Sequence, residues 1–371
     1  MIIILISFVI LTYSKIIQIS LDNYSFLIPR PTVFFINENH KYALYFNTFL
    51  QYSLLGQSMK SLMIEKNNKG EGTITLDDTY KVYKYQMALK FDDNAILNNL
   101  SVYILSSPSW IRERDLSLGY HIIDESYSIV YNLYKTKVID EYRFAFDQVK
   151  EKLYLGGIPN NTDLTFPYKG ILKINETLPT WGFHLNSIIF NNSEYIINQP
   201  CIIHSVLTNT LISDDILAVI KKILAETISN GCLMSSSTYE GKEFEQDIMI
   251  CNPNLDILRN DNEFIFNNVK LKLKLSTLFK DRNNFLNQPF NSNGRPNKLH
   301  NFTGVILGYP FISLFHYTVF DYQNKQFELY SDTYSIIDSS TSINFFLILY
   351  SIIVTLLIFN IIMLLCDIRK Y

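Results

Sequence analysis

Two segments of the chain place a hydrogen-bonding residue and a hydroxyl residue directly after an apolar run. These are Asn47-Thr48 in the first half and His204-Ser205 in the second. An asparagine amide donates and accepts hydrogen bonds but cannot exchange a proton at any working pH. A histidine has a reference pKa of about 6.5, so His204 is the member that could serve as a general base near neutral pH. The alternative for His204 is a hydrogen-bonded histidine in a buried polar pocket.

The two segments belong to a sequence pattern that is repeated once, far apart along the chain. Tyr42 to Leu55 and Pro200 to Leu211 each run from an apolar strand into the polar pair and then into another apolar strand. Most of the remaining chain alternates short runs of β-branched and aromatic residues with turn signals, which is typical of strands. Helical periodicity is confined to Glu125 to Tyr134 and to the segment capped by Ser213-Asp214-Asp215. The sequence predicts a β-rich body with few helices.

Composition and charge indicate a protein with a substantial core and give no sign of a nucleic-acid-binding surface. With 371 residues, 48% of them hydrophobic, the chain has enough apolar surface for one large core or two medium ones. The formal net charge is −3 and no block of Lys or Arg occurs, so no nucleic-acid surface is indicated.

Both ends of the chain carry apolar segments. Residues 1–15, with the run Met1 to Leu11, resemble a cleavable signal peptide, the alternative being a buried first strand. Near the other end, residues 345–366 are long enough, at about 1.5 Å per residue, to cross a hydrocarbon core of about 30 Å. Residues 336–344 are the linker before this predicted transmembrane helix, and Arg369 and Lys370 mark residues 367–371 as a cytoplasmic tail. The ends predict a single-pass membrane protein of the secretory pathway or cell surface, with its body in the lumen or outside the cell.

Glycosylation sequons and cysteines agree with that location. Six Asn-x-Ser/Thr sequons are glycosylation candidates: Asn23, Asn99, Asn160, Asn175, Asn191 and Asn301. Cys232 and Cys251 are close enough in sequence to close a short disulfide loop in an oxidising compartment. Cys201 lies in an apolar run and is expected to be a buried small hydrophobe. Cys366, at the membrane edge, is a candidate for palmitoylation.

An ordered set of motifs resembles the pepsin-like aspartic protease family over about residues 31 to 330. The strongest resemblance is late in the chain, where Val305 to Phe311 is followed by Phe315 to Tyr322, "YTVFD" included. Earlier motifs follow in the family's order: Phe144-Ala145-Phe146, Leu153 to Ile158, Tyr168 to Leu172, and Trp181 to Asn186.

The resemblance implies an all-β, bilobal pepsin-like fold with a few short helices, here with a C-terminal transmembrane helix added. The N-terminal lobe would cover residues 31–175 and the C-terminal lobe residues 176–335. No metal or cofactor is implied.

The resemblance also implies a catalytic dyad of aspartates, one in an Asp-Thr/Ser-Gly loop of each lobe. Two carboxylates that close share a proton, and one then acts as base and the other as acid. In this chain Asn47 stands at the first aspartate position and His204 at the second. The dyad chemistry is therefore not available to it.

The neighbouring positions of the two loops are partly retained. Phe49 and Val206 replace glycines of the family pattern, whereas the hydroxyl residues that tie the two loops together remain as Thr48 and Ser205. Thr208 matches a further threonine of the second loop.

Two further departures concern the flap and the pro-segment. Residues 74–90 resemble the flap hairpin, with Leu76 where the family usually has tyrosine. The stretch between the predicted signal cleavage and the first strand is too short for the family's inhibitory pro-segment.

These features favour a pseudo-protease that binds a peptide or a partner protein in its inter-lobe cleft without cleaving it. The first alternative is an active endopeptidase that uses His204 in an unusual way, or that uses Asp22, Asp77 or Asp78. None of these aspartates is followed by Thr/Ser-Gly. The second alternative is a structural or adhesion ectodomain with no function in the cleft.

Overall fold

The computed structural model describes residues 15–22, 30–35, 41–43, 45–48, 50–56, 71–75, 79–91, 96–105, 114–120, 127–159, 166–190, 192–206, 210–212, 232–238, 245–251, 261–267, 269–274, 280–282, 285–287, 290–292, 304–332 and 336–338. Within these ranges the chain is mostly strand, as the alternation of apolar residues predicts. The helix predicted after Ser213 lies outside the described residues, and so do residues 1–14 and the predicted membrane span at 345–366.

Within the described residues, the first half has eleven strands and one helix. They are β1 Ile17–Asp22, β2 Arg30–Phe35, β3 Lys41–Ala43, β4 Tyr45–Asn47, β5 Ser53–Leu55, β6 Glu71–Thr75, β7 Thr79–Lys90, β8 Ile96–Leu105, β9 Arg114–Ser117, α1 Ile129–Lys135, β10 Arg143–Asp147 and β11 Lys152–Leu155.

The elements of the second half, in the part of the chain that is described, are fifteen strands and one short helix. They are β12 Tyr168–Lys173, β13 Gly182–Phe190, β14 Ser193–Ile203, β15 Thr210–Ile212, β16 Cys232–Thr238, β17 Glu245–Cys251, β18 Asp261–Phe266, β19 Val269–Lys274, β20 Lys280–Arg282, β21 Phe285–Asn287, β22 Phe290–Ser292, β23 Val305–Leu307, α2 Tyr309–Ile312, β24 Tyr317–Asp321, β25 Gln326–Ser331 and β26 Ile336–Asp338.

The described strands form two large sheets. One sheet of 14 strands has the main order β12-β25-β24-β10-β11-β1-β2-β7-β8-β5-β9-β4, with β3 beside β2 and β6 beside β7. The other sheet has 12 strands in the order β20-β21-β17-β22-β15-β23-β14-β13-β18-β19-β26, with β16 beside β17. Each half of the chain therefore supplies most of one sheet, in agreement with the predicted bilobal β fold.

The two halves are joined through the first sheet. β24, from the end of the described chain, pairs antiparallel with β10 of the first half, and Phe144 lies opposite Phe320. β25 then pairs with both β24 and β12. Strands from the two halves thus lie side by side in one hydrogen-bonded sheet.

Aromatic residues from both halves pack over this junction. The rings of Phe144 and Phe320 stack at 4.5 Å, and the Trp181 ring meets Phe320 edge-on at 5.1 Å. Tyr322 stacks on Tyr142 at 4.4 Å. Such pairs contribute about 0.5–1.5 kcal/mol each beyond their buried area, so the junction is part of the core.

The helix predicted at Glu125 to Tyr134 is present, but it begins later. α1 starts after Ser128, whose hydroxyl accepts a hydrogen bond from the Tyr131 amide and thereby caps the helix. Ile129, Val130 and Leu133 are its buried face.

Among the described residues, no helix is long and apolar enough to cross a membrane.

Candidate functional site

The first polar segment ends a short strand that is held by a parallel neighbour. β4 runs parallel to β9, with Phe46 opposite Leu116 and Asn47 opposite Ser117. The Leu118 amide then donates to the Asn47 carbonyl oxygen at 2.9 Å. Asn47 is fully buried. The predicted apolar run therefore does position Asn47 at the end of a core strand.

The second polar segment has the same arrangement. The end of β14 runs parallel to β23, with Ile203 opposite Leu307, and the His204 amide donates to the Leu307 carbonyl oxygen at 2.9 Å. His204 is buried as well. The repeated sequence pattern in the two halves thus corresponds to a repeated parallel strand pairing, and Asn47 and His204 directly follow or end equivalent strands in it.

A set of four reciprocal hydrogen bonds joins the two segments. The Thr48 amide donates to Ser205 Oγ at 3.0 Å, and the Ser205 amide donates to Thr48 Oγ1 at 2.9 Å. Thr48 Oγ1 donates in turn to the Ile203 carbonyl oxygen at 3.1 Å, and Ser205 Oγ donates to the Phe46 carbonyl oxygen at 2.5 Å. All four bonds are buried. The hydroxyls of Thr48 and Ser205 therefore bring the two segments side by side.

Residues of the second half hold the first segment from another direction. Thr180 Oγ1 donates to the Thr48 carbonyl oxygen at 2.6 Å. The Leu118 carbonyl oxygen accepts from Trp181 Nε1 at 2.7 Å and from the Tyr322 hydroxyl at 3.0 Å. Burial raises the pKa of Tyr322 well above its ordinary value, so this hydroxyl stays protonated and remains a donor.

Asn47 has a partner that its local sequence does not reveal. Its Nδ2 donates to Asp115 Oδ2 at 3.0 Å, and Asp115 is itself buried. Asp115 lies on β9, 68 positions from Asn47. The signal that could have found it is a charged residue between Arg114 and the apolar Leu116 in a strand that echoes Val305 to Leu307.

A buried polar layer lies next to this pair. Ser117 Oγ donates to the Leu50 carbonyl oxygen at 2.5 Å, and the Ser117 amide donates to Ser53 Oγ at 2.9 Å. The Gly119 amide also donates to Leu50 O at 3.1 Å. Only glycine fits at 119, because a Cβ there would lie 2.2 Å from that oxygen. The chain after Thr48 is therefore fixed against β9.

The other predicted loop residues are only partly within the described chain. Ser205 is buried and Val206 is half-buried beside it, whereas Phe49 and Thr208 lie outside the described residues. β6 and β7 form an antiparallel hairpin, with Thr75 opposite Thr79, where the flap hairpin was expected. Leu76, which falls between β6 and β7 in sequence, lies outside the described residues.

The cysteines fall into two environments. Cys232 on β16 lies directly opposite Cys251 on β17, which is the strand register that a disulfide between them requires. Cys201 is a buried free thiol on β14, and burial raises its pKa far above its usual range. Cys366 lies outside the described residues.

Of the glycosylation candidates, Asn175 is placed with its side chain. It lies in the turn between β12 and β13, where its Oδ1 accepts from the Thr177 amide at 3.0 Å and its Nδ2 is 2.8 Å from His184 Nε2. Asn99 is on β8. The remaining candidates lie outside the described residues: Asn23, Asn160, Asn191 and Asn301.

No family model matches the sequence, and no curated protein matches it. The structure does have solved neighbours. One is the crystal structure of the aspartic proteinase from Irpex lacteus, which aligns with a TM-score of 0.64 over 86% of this chain and 98% of the fungal one, at 14% sequence identity. The chain has the pepsin-like aspartic proteinase fold. At this identity the likeness concerns the fold alone.

Proposed function

We propose that this protein is a membrane-anchored pseudo-protease that binds an extended peptide or a partner's loop in the cleft between its lobes without cleaving it. The observation that carries the proposal is the buried hydrogen bond from Asn47 to Asp115 in the segment where an aspartic proteinase has its first catalytic carboxylate. A side-chain amide that donates to a carboxylate cannot take a proton from water. Position 47 therefore cannot supply the base for cleavage.

The proposal that binding is retained is supported by the intact frame. Thr48 and Ser205 keep both segments together through the four bonds described above. β6 and β7 form an antiparallel hairpin, and the backbone edge of a hairpin can pair with an extended strand. In this mode main-chain hydrogen bonds supply affinity and side-chain contacts supply specificity.

Membrane anchorage belongs to the same proposal. Residues 345–366 would span the bilayer, and the body would stand in the lumen of the secretory pathway or at the cell surface. A tethered peptide-binding body meets partners in the same membrane at a high effective concentration, so modest affinity suffices.

The test is a paired binding and cleavage assay on the full chain in detergent micelles. A library of extended peptides is screened for binding by fluorescence anisotropy and for cleavage by mass spectrometry, from about pH 3 to about pH 8, a range that covers ionisation of carboxyl and imidazole groups. We expect saturable binding and no cleavage, while an active aspartic proteinase cleaves the same library. Cleavage that His204→Ala abolishes would establish the endopeptidase alternative. Absence of both binding and cleavage would favour a structural or adhesion role.

A further inference from the structure

Asp115 is a buried carboxylate in a position that the repeat of the fold makes apolar. Phe46 pairs with Leu116 in the first half, and Ile203 pairs with Leu307 in the second. Asp115 and Ile306, one residue earlier on each strand, are therefore equivalent. Ile306 is fully buried, as an apolar residue of a core strand should be.

Placing a carboxylate at this position carries a large desolvation cost unless hydrogen-bond donors meet it. The Asn47 side chain supplies one such donor, because its Nδ2 lies 3.0 Å from Asp115 Oδ2. Asn47, which departs from the family pattern, and Asp115, which departs from the repeat of the fold, are thus complementary. One segment has an amide where a carboxylate would conflict with Asp115, and the neighbouring strand has a carboxylate where the equivalent strand has isoleucine.

We propose that Asp115 is a positioning residue that holds the Asn47 amide, and that the two form one coupled pair in which the carboxylate lies on the strand and the amide on the loop. The carboxylate of Asp115 then requires an amide at position 47. Restoring aspartate at position 47 alone does not restore the site, because two buried carboxylates would face each other. The inference does not depend on whether the cleft binds peptide.

The pair makes a specific prediction for Asn47→Asp. Two carboxylates would then face each other within hydrogen-bond distance in a buried place, where they cannot both ionise and must share a proton. The folded protein would retain one proton that the unfolded chain has released. Its stability would therefore fall as the pH rises. Between the pKa of the carboxyl in the unfolded chain and the pKa of the shared proton in the folded pair, the unfolding equilibrium constant would grow about tenfold per pH unit.

Exchanging the two residues removes the conflict. In the N47D/D115N variant an amide again faces a carboxylate, with their positions reversed. We expect its stability to follow the wild-type pH profile. The matched control is N47D/D147N, because Asp147 is also a buried aspartate but caps a turn through the Val149 and Lys150 amides instead.

Other titratable residues near the pair do not supply this signal. On the strands flanking Asp115, Tyr45 lies opposite it on β4 and β5 contributes no titratable residue. Arg114 precedes it on β9, and His204 directly follows β14, the strand of the other half that corresponds to β4. All variants keep these residues, so their contribution is common to every profile. Tyrosine and arginine in addition titrate well above neutral pH.

The experiment is urea unfolding of the full chain in detergent micelles from about pH 5 to about pH 8, for the wild type and the three variants. We expect the free energy of unfolding of Asn47→Asp to fall below that of the wild type by an amount that grows with pH. N47D/D115N should restore the wild-type pH dependence, and N47D/D147N should not. If Asn47→Asp fails to fold at any pH, folding of N47D/D115N alone among the three decides the same question. A pH profile for Asn47→Asp parallel to the wild type, or equal behaviour of the two double variants, overturns the coupled pair. Peptide binding is not a readout, so a failed binding assay leaves this result unchanged.

Discussion

Thr48 and Ser205 each bind the backbone amide of the other through their side-chain hydroxyls, at 2.9 and 3.0 Å. Each hydroxyl also donates to a carbonyl oxygen on the other's strand, at Ile203 and Phe46. Each hydroxyl thus uses its one O–H donor and one acceptor position in a single set of bonds. The two halves of the molecule are locked together at the segment where the site lies.

Replacing Thr48 with valine keeps the shape of the side chain and removes this hydroxyl. The Ser205 amide and the Ile203 carbonyl oxygen are then buried without their partner, so we expect a loss of about 2–4 kcal/mol in the free energy of unfolding. Urea unfolding checks the value. Thr136→Val is the matched control, because Thr136 is exposed and its hydroxyl only caps α1. Equal losses in the two variants would contradict a locking role for Thr48.

The Leu118 carbonyl oxygen provides a second prediction, since it accepts from both Trp181 and Tyr322. Either Trp181→Phe or Tyr322→Phe leaves one donor in place. The double variant leaves a buried acceptor without either. We expect Tyr322→Phe to cost about 1 kcal/mol through its hydrogen bond, and Trp181→Phe to cost more because it also leaves a cavity in the core. The double change should cost more than the sum of the two single changes. A strictly additive thermodynamic cycle would show that the two bonds act independently.

Cys232 and Cys251 are expected to form a cross-strand disulfide. Directly opposite residues on antiparallel strands have Cα atoms about 4.5–5.5 Å apart, which is inside the range for a disulfide. Mass spectrometry of the non-reduced protein should find this bond, and alkylation of the native protein should leave Cys201 unmodified because it is buried. Loss of the bond in C232S/C251S should reduce stability by about 3 kcal/mol. Free thiols at both positions in protein isolated from an oxidising compartment would contradict the pairing.

Glu328 on β25 gives a pH-dependent prediction. Burial alone would raise its pKa, but hydrogen bonds from Tyr330, Lys169 and Gln326, with the charge of Lys169, hold the pKa below its ordinary value. A carboxyl with a lowered folded pKa stabilises the protein above its unfolded pKa, about 4.3 for Glu, and that contribution is lost as the pH falls through the folded pKa. Glu328→Gln should therefore destabilise the protein at neutral pH and reduce the loss of stability in acid.

The control for Glu328 is Glu176→Gln. Glu176 makes an exposed ion pair with Lys325, and exposed pairs contribute little in water. We expect its pH profile to overlay the wild type. If both variants change the loss of stability at acidic pH equally, the hydrogen bonds and charge around Glu328 are not the cause of that loss.

The sequence was sufficient for features that depend on local pattern. An apolar run that ends in a polar pair predicted where Asn47-Thr48 and His204-Ser205 would lie, and the structure places both at the ends of core strands. Alternating apolar residues likewise predicted a β-rich body. The resemblance over the ordered motifs predicted the pepsin-like fold, which the structural neighbour confirms.

Asp115 could not be predicted in the same way, because its meaning depends on strand register. Its neighbours in sequence give no reason for a buried carboxylate; only the parallel pairing of β4 with β9 brings it to Asn47. The start of α1 was missed for a related reason. Ser128 competes with earlier polar residues as a cap, and packing of Ile129 and Val130 against the core decides between them.

The pairing of β24 with β10 affects how the protein is made. The ribosome completes Arg143–Asp147 long before Tyr317–Asp321 exists, so the edge of β10 has no native neighbour during most of synthesis. An unpaired strand edge is a site for wrong pairing with other chains. The first half therefore emerges from the ribosome with one open strand edge, and truncations that remove β24 and β25 should expose that edge and promote aggregation.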